Sequence, residues 1–226
     1  MKREIIHTSD GSTTIHIIDW DEHYHSRHGA IQEAYHVFID NGLSVVKEKK
    51  LSVLEMGLGT GLNAFITLLE AKKRQLNIDY VGIEAYPVLQ EELEQLNFVK
   101  ALEVPDQQRN FNKIHTCSWE KVCRLTDHFS ILKKQKDFRD VMDMDCFDLI
   151  YFDAFGARVQ PELWTETVFR SMFNALRAEG ILVTYAAKGS VRRAMLAVGF
   201  RVERLPGPPG KREMLRAIKP GIAQTS

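Results

Sequence analysis

Cysteine is scarce in this chain of 226 residues: only Cys117, Cys123 and Cys146 occur, and no two of them form a Cys-x-x-Cys pair. An odd number without paired spacing argues against a disulfide framework and against a cysteine-rich metal centre. We interpret all three as buried or incidental thiols, because free cysteine packs like a small apolar residue.

Long apolar runs are also absent. No stretch approaches the roughly 20 apolar residues that a membrane-spanning helix needs. The N-terminal segment MKREIIHTSDGSTTIHIID lacks the continuous apolar centre of a signal peptide. We therefore expect a cytoplasmic protein that does not act at a membrane.

Histidines cluster in the segment HYHSRH, at His23, His25 and His28. No carboxylate or cysteine at a fixed spacing accompanies them, as metal ligands would require. We therefore expect no metal site and interpret the segment as a solvated or substrate-facing loop.

Net charge is zero, yet the charges are unevenly distributed. Acidic side chains outnumber basic ones up to residue 150, and basic ones outnumber acidic ones after it. This asymmetry predicts either a basic face for a polyanion in the C-terminal third or a chance scatter of solvated charges, and both interpretations stay open.

Strands and helices alternate from residue 51 onward. The pattern predicts seven strands, at LSVLEMG, IDYVGIEA, NKIHTCSW, FDLIYFDAF, ILVTYAA, FRVERLP and REMLRAIK, with a helix opened by Pro87 after the second. Such alternation requires a mostly parallel α/β sheet covered by helices on both faces. The last two strands are joined by a loop alone, which predicts a terminal antiparallel hairpin. Residues 119–145 are hard to interpret and suggest a helix with a charged insertion.

The N-terminal segment differs from this pattern. REIIHT and TTIHIIDW flank the turn SDGS and predict a β-hairpin, and a helix is expected from about Ala30 to Asp40. We expect two units: residues 1–45 as a hairpin extension on the substrate side, and residues 46–226 as the α/β domain.

The segment VLEMGLGTGLNA follows the first predicted strand of the sheet. Its spacing is Gly-x-Gly-x-Gly, which differs from the dinucleotide-binding pattern, and no Lys-Ser/Thr follows as in a phosphate-binding loop. Glu55 would repel a pyrophosphate but suits a cationic ligand. Glu84 ends the next strand, where it can accept both hydroxyls of a ribose. A ligand with a ribose, a positive centre and no phosphate is S-adenosylmethionine.

We therefore expect cofactor contacts from the ends of the first three strands. The candidates are Glu55, Gly57, Gly59, Thr60, Gly61, Asn63, Glu84, Ser118 and Trp119. The alternatives are a tight turn without a ligand and, for Glu84, a surface carboxylate at a strand end.

Asp153 ends the fourth predicted strand, in YFDAFG. A carboxylate after a buried apolar strand is costly unless it is paired or faces a cleft. At this place it would border both the methyl donor and an amine acceptor, which it would orient by a hydrogen bond. Its alternative role is to cap a helix that begins near Pro161.

Several motifs together resemble one known family. YHSRHGAIQEAYHVFIDNGL, VLEMGLGTGLNA, FDLIYFDAFGARVQPELW, LVTYAAKGSVRRAMLAVGF and GKREML are similar to the methyltransferase domain of the bacterial tRNA 5-methylaminomethyl-2-thiouridine enzymes, MnmC and its stand-alone form MnmD. The resemblance runs from about residue 20 to 217. It implies a Rossmann-like class I methyltransferase fold with S-adenosylmethionine as cofactor. The implied reaction methylates the primary amine of 5-aminomethyl-(2-thio)uridine at the wobble position of tRNA.

The same resemblance implies roles for further residues. Asp153 is the implied catalytic residue and Phe155 would stack on the modified base. Residues implied to bind the substrate are Tyr24, Ser26 and Glu33 at the pocket and Lys188, Arg192, Arg193, Lys211 and Arg212 at the phosphates of the tRNA anticodon region. The bifunctional relatives carry an oxidoreductase domain that this sequence lacks. We therefore expect methylation only, with a separate oxidoreductase or upstream wobble-uridine enzymes acting on the same tRNA.

Three alternatives remain at this point. An aminopropyltransferase of the spermidine-synthase type shares the sheet and an amine nucleophile, although its acidic pair at the fourth strand is missing because Ala154 and Phe155 follow Asp153. A small-molecule amine N-methyltransferase and a non-catalytic cofactor-binding protein are the others. The intact Asp153 and the complete glycine turn argue against the last.

Overall fold

A small antiparallel sheet opens the chain in the computed structural model, which describes residues 2–221. It consists of β1 (Arg3–His7), β2 (Thr13–Ile17) and the two-residue β3 (Glu22–His23), with a 3-10 turn at Ile18–Trp20 between the last two. The predicted N-terminal hairpin is confirmed, and β3 extends it by one short strand.

The helix expected from Ala30 to Asp40 is confirmed in two parts. Helix α1 (Ala30–Ala34) continues directly into a π-helical segment at Tyr35–Asp40, and a 3-10 turn at Leu43–Val45 follows. The division of the chain into residues 1–45 and 46–226 stays a prediction.

The central sheet contains eight strands among residues 2–221, one more than predicted. They are β4 (Lys50–Met56), β5 (Asn77–Glu84), β6 (Val122–Thr126), β7 (Phe129–Gln135), β8 (Phe147–Phe152), β9 (Leu176–Thr184), β10 (Arg201–Pro206) and β11 (Glu213–Ile218), in the order β10-β11-β9-β8-β4-β5-β7-β6. The five strands at the centre of this order, β9, β8, β4, β5 and β7, pair in parallel. Strands β6, β10 and β11 are antiparallel to their neighbours. The mostly parallel sheet and its terminal antiparallel hairpin are confirmed.

Helices connect these strands. They are α2 (Leu62–Arg74), α3 (Gln90–Leu93), α4 (Phe98–Ala101), α5 (Gln108–Thr116), α6 (Glu166–Ala175) and α7 (Gly189–Ala197), with 3-10 turns at Pro105–Gln107, Phe138–Asp140 and Pro161–Trp164. None of the helices within residues 2–221 combines the length and the apolar character that crossing a bilayer requires.

The prediction that NKIHTCSW forms the third strand is wrong. NKIHTCSW is the end of α5 and the loop after it, because Phe111 and Ile114 are three residues apart and bury one helix face. The true third strand of the parallel set is β7, which follows the antiparallel β6 in the chain and buries alternate side chains, including Lys133. Because a lysine is not expected at a buried position, the alternation is not apparent in the sequence. In the structure the Lys133 ammonium donates to the carbonyl of His115 at 2.6 Å.

The helix expected at Pro87 also begins later. Pro87 and Val88 are loop, and α3 starts at Gln90 and is only four residues long. The carboxylate of Glu92 accepts the backbone N–H of Leu89 at 2.8 Å, which stabilises the first turn of α3.

Two hydrophobic layers cover the sheet, one on each face. Val53 of β4 packs in one layer and its neighbour Leu54 in the other, because successive strand residues point to opposite faces. Helix α2 packs in the first layer and α6 and α7 in the second. This sandwich aligns the carboxyl ends of β4, β5, β7 and β8 at one edge, where ligands bind in open α/β sheets.

Candidate active site

A cavity of about 350 Å³ lies at that edge, and we call it the reaction cavity. The glycine turn after β4 and the loops after β5, β7 and β8 form its base, and the N-terminal sheet with α1 covers it. Of the residues predicted for the site, those that line it are Gly57, Gly59, Asn63, Glu84, Asp153, Phe155, Tyr24, Ser26, Glu33 and Lys211.

The glycine turn places bare backbone against the cavity. Gly57 and Gly59 have φ of +99° and +47°, in the left-handed region that favours glycine. A Cβ at Gly57 would lie 2.6 Å from the carbonyl oxygen of Asp153, and one at Gly59 would lie 3.1 Å from the ring of Tyr24. Gly61 has φ of +71° but packs against His115 outside the cavity.

Glu84 ends β5 and lines the cavity with its carboxylate. One oxygen accepts the N–H of Gly59 at 3.0 Å, and the other accepts the N–H of Tyr86 at 2.9 Å. Each carboxylate oxygen has a second lone pair, so both can still accept a hydroxyl. The two backbone contacts fix the orientation of the carboxylate in the cavity.

Asp153 follows β8, and its backbone N–H donates to the carbonyl of Met56 at 2.9 Å. Its Oδ2 accepts a hydrogen bond from the Asn63 amide at 2.8 Å. The pKa of Asp153 is raised to about 7, mainly by burial and also by the negative charge of Glu33, while Asn63 and Lys211 oppose the rise. Asp153 does not cap the helix near Pro161, since it lines the cavity instead.

Glu55 lies behind the site, contrary to the expectation that it faces a cationic ligand. Its side chain is fully buried and outside the cavity lining, where it accepts hydrogen bonds from Asn63 at 2.9 Å and from the Tyr80 hydroxyl at 2.8 Å. Burial raises the pKa of Glu55 well above its ordinary value. Since the Asn63 amide donates to both Glu55 and Asp153, Glu55 acts on the cavity by orienting Asn63.

Glu33, near the start of α1, holds the opposite wall. Its carboxylate accepts the backbone N–H of Ser26 at 2.8 Å and pairs with the Lys211 ammonium. The same ammonium lies 3.9 Å from the ring centroid of Tyr185, whose hydroxyl donates to the carbonyl of Ala154 at 2.8 Å. Lys211 is therefore tied to both sides of the cavity.

Aromatic rings surround the space beyond Asp153. Phe155 meets the ring of Tyr24 edge-on at 5.0 Å and that of Trp20 at 5.8 Å, between centroids. Arg158 donates to the carbonyls of Trp20 and Asp21, at 3.0 and 2.8 Å, and thereby ties the N-terminal sheet to the loop after β8. All three rings line the cavity, and we call this apolar part of it the aromatic compartment.

Ser118 and Trp119 do not reach the cavity, because α5 and not a strand precedes them. Trp119 instead lies 4.9 Å from the Lys133 ammonium. The residues that follow the true third strand, Asp137 and Phe138, do line the cavity. The Asp-Phe pair after the alternating segment FSILKKQ was the signal in the sequence that would have located them.

Thr60 is buried away from the cavity, and its hydroxyl lies 3.2 Å from Nε2 of His25. Nδ1 of that ring lies 3.0 Å from the Thr14 hydroxyl, and burial lowers the pKa of His25 to about 4. The neutral imidazole therefore joins the glycine turn to the N-terminal sheet.

The predicted basic residues separate into two groups. Lys188 and Arg212 line a second, open depression beside the cavity, which we call the side groove, and Lys211 lines both. Arg192 and Arg193 line neither.

S-adenosylmethionine fits the residues that are present. Gly57 and Gly59 present backbone without side chains to the cavity, and Glu84 offers acceptors for the ribose. The carboxylate of Asp137 can accept from an exocyclic amine, although it is also bound by Arg139 at 2.7 Å.

Comparison with known proteins agrees with this interpretation. The sequence profile of an S-adenosyl-L-methionine-dependent methyltransferase family matches residues 103–220. The tRNA 5-methylaminomethyl-2-thiouridine biosynthesis bifunctional protein MnmC of Cupriavidus metallidurans is 32% identical over 216 residues, 86% of this chain and 31% of that protein. The protein of the same name from Aromatoleum aromaticum is 30% identical, over 85% of this chain and 32% of its own length. The chain thus spans about a third of these relatives.

Solved structures share the fold. MnmC2 from Aquifex aeolicus superposes with a TM-score of 0.76 at 24% identity, over 98% of this chain and 72% of that one. Spermidine synthase from Thermotoga maritima superposes with a TM-score of 0.53 at 14% identity, over 95% and 72% of the two chains. The resemblance to the MnmC methyltransferase domain and the class I methyltransferase fold are both confirmed. The chain belongs to the S-adenosyl-L-methionine-dependent methyltransferase family, and S-adenosylmethionine is its cofactor.

Proposed function

We propose that this enzyme methylates the primary amine of 5-aminomethyl-(2-thio)uridine at the wobble position of tRNA, giving 5-methylaminomethyl-(2-thio)uridine. The observation that carries the proposal is that Asp153 lines one cavity together with the glycine turn and the aromatic compartment of Phe155, Tyr24 and Trp20. Similarity to the MnmC proteins supports the tRNA substrate. We place the reaction in the cytoplasm, on the anticodon region of tRNA made ready by separate upstream enzymes.

Asp153 prepares the amine for attack. An alkylamine has a pKa near 10, so a carboxylate with an ordinary pKa near 4 is a poor proton acceptor for it. The reacting amine is the neutral form, and one of its N–H groups donates to the Asp153 carboxylate, which leaves the nitrogen lone pair free to attack the methyl group. The nitrogen becomes positively charged as it gains the methyl group. With its pKa raised to about 7, Asp153 can accept the proton that this nitrogen then loses against a gap of about 3 units in place of about 6.

The fixed geometry of Asp153 supplies the orientation. The Asn63 amide holds Oδ2, and the backbone N–H of Asp153 is bound to the carbonyl of Met56. The bound cofactor supplies an electrophilic methyl group on a positively charged sulfur. Alignment of amine and methyl in one cavity lowers the barrier without further chemistry from the protein.

The aromatic compartment explains why the proposed substrate is a uridine and not a small amine. Phe155 presents a ring against which a pyrimidine can stack, and Tyr24 closes the space from the N-terminal side. Burial raises the pKa of Tyr24, so its hydroxyl is neutral and can donate to a base carbonyl.

The test is incubation of the protein with labelled S-adenosylmethionine and tRNA that carries 5-aminomethyluridine, followed by nucleoside analysis. We expect label in 5-methylaminomethyluridine and none in tRNA with unmodified uridine. Putrescine and other small amines serve as competing acceptors in parallel reactions. Label in these amines with none in tRNA would replace the tRNA proposal by a small-molecule amine N-methyltransferase.

A further inference from the structure

The side groove opens directly beside the reaction cavity. Gly156, Tyr185 and Lys211 line both, so the two spaces share one wall. A ligand in the groove is therefore adjacent to whatever occupies the cavity. The N-terminal sheet, which covers the cavity, contributes no residue to the groove lining.

The groove combines an apolar lining with cations. The half-buried Ala186 and Ala187 contribute apolar surface, and the buried side chains of Trp164 and Val191 form the apolar floor beneath them. Lys188 and Arg212 also line it, and both are exposed.

These two cations differ from the other charged groups nearby. Within residues 2–221 neither forms an ion pair, whereas Lys211 is paired with Glu33. Glu213 also lines the groove, and its carboxylate lies 3.8 Å from Arg204. An apolar surface with unpaired cations is complementary to a nucleobase and its phosphate.

We propose that the side groove binds the nucleotide next to the methylated uridine on the same RNA strand, with its base on the apolar lining and its phosphate at Lys188 and Arg212. This inference rests on the proposed tRNA reaction, and it adds a second recognition site. It follows that the enzyme reads a dinucleotide step and not one isolated base.

The first test couples a protein variant to a substrate deletion. Ala187→Trp fills the groove. Three RNA substrates are compared, each an anticodon stem-loop that carries 5-aminomethyluridine. One loop is intact, one is abasic at the 5′ neighbour of that uridine, and one is abasic at its 3′ neighbour. We expect Ala187→Trp to lower kcat/KM on the intact loop by roughly tenfold, the order of one lost stacked base. One of the two abasic loops lacks the base that the groove binds. On that loop the same variant lowers kcat/KM by less than about twofold, because the stacked base is already missing.

Ala197→Trp is the matched control, since Ala197 is exposed at the end of α7 and outside the groove. It leaves kcat/KM unchanged on every loop. The affinity of Ala187→Trp for S-adenosylmethionine, measured by calorimetry, establishes that this variant is folded.

The second test is the salt dependence of binding. Lys188→Ala and Arg212→Ala each reduce the slope of log Kd against log salt for the intact loop, by about 0.7 per lost phosphate contact. Equal losses from Ala187→Trp on all three loops, or unchanged salt slopes, would overturn the groove inference while methylation itself persists. Absence of methylation of the intact loop by the unaltered enzyme is a different result and refutes the proposed reaction.

Discussion

The amide nitrogen of Asn63 lies 2.8 Å from Oδ2 of Asp153 and 2.9 Å from Oε1 of Glu55. Both N–H groups of one amide are thus used to hold two carboxylates, one in the cavity and one behind it. A substitution of Asp153 therefore tests the reacting group. A substitution in the glycine turn, which precedes Asn63, tests cofactor binding.

Replacement of Asp153 by Asn removes the charge with little change in shape. We expect kcat to fall by about 10²- to 10⁴-fold, the range for loss of a positioned acid–base group. The Kd for S-adenosylmethionine, measured by calorimetry, stays within a few-fold. Asp79→Asn, on exposed β5 surface, is the control and keeps full activity. A large loss of cofactor affinity in Asp153→Asn would mean that this carboxylate serves cofactor binding.

The pH profile of the unaltered enzyme reports the ionisation of Asp153. Because the reactive form needs both the carboxylate and the neutral amine, log kcat/KM rises with pH with a slope of about two below pH 7 and about one above it. The break near pH 7 is absent from the residual activity of Asp153→Asn. A single slope of one across pH 5–8 in the unaltered enzyme would exclude this role.

Glu33 and Lys211 shift that break in opposite directions. The charge of Glu33 raises the pKa of Asp153 and that of Lys211 lowers it. Glu33→Gln therefore moves the break in the pH profile to lower pH, and Lys211→Met moves it to higher pH. The comparison is internal, because a merely structural role for the pair would change kcat without displacing the break in opposite senses.

Gly57→Ala tests whether cofactor binding requires the glycine turn to keep its position against the backbone of Asp153. Alanine at φ of +99° is strained, and its Cβ would lie 2.6 Å from the carbonyl oxygen of Asp153. We expect at least a tenfold weaker Kd for S-adenosylmethionine, since 1.4 kcal/mol of lost contact is tenfold. Gly11→Ala has similar strain, at φ of +81°, but its Cβ meets nothing within 4 Å. It lowers the melting temperature and leaves the Kd unchanged; equal Kd values for the two variants would contradict a cofactor role for the turn.

Local patterns in the sequence determined most of the fold. Alternation of apolar strands with amphipathic helices requires a mostly parallel sheet, and the glycine spacing at residues 57–61 is typical of a turn that approaches a ligand. Glu84 and Asp153 follow strongly apolar strands, so their place at the carboxyl edge followed from the chain itself. These inferences succeed because they depend only on neighbours in sequence.

Tertiary packing decided what remained. Lys133 is buried in β7 because its ammonium donates a hydrogen bond to the carbonyl of His115. This contact between distant segments cannot be predicted from the sequence, so neither β7 nor the pair Asp137–Phe138 after it was recognised there. Glu55 turns away from the cavity because Tyr80, 25 residues later, donates to it. The packing of α7 and β11 likewise decides which basic residues line the cavity, which line the side groove and which lie on the open surface. Burial and hydrogen bonding between distant segments produce no periodic pattern in the sequence from which this could be predicted.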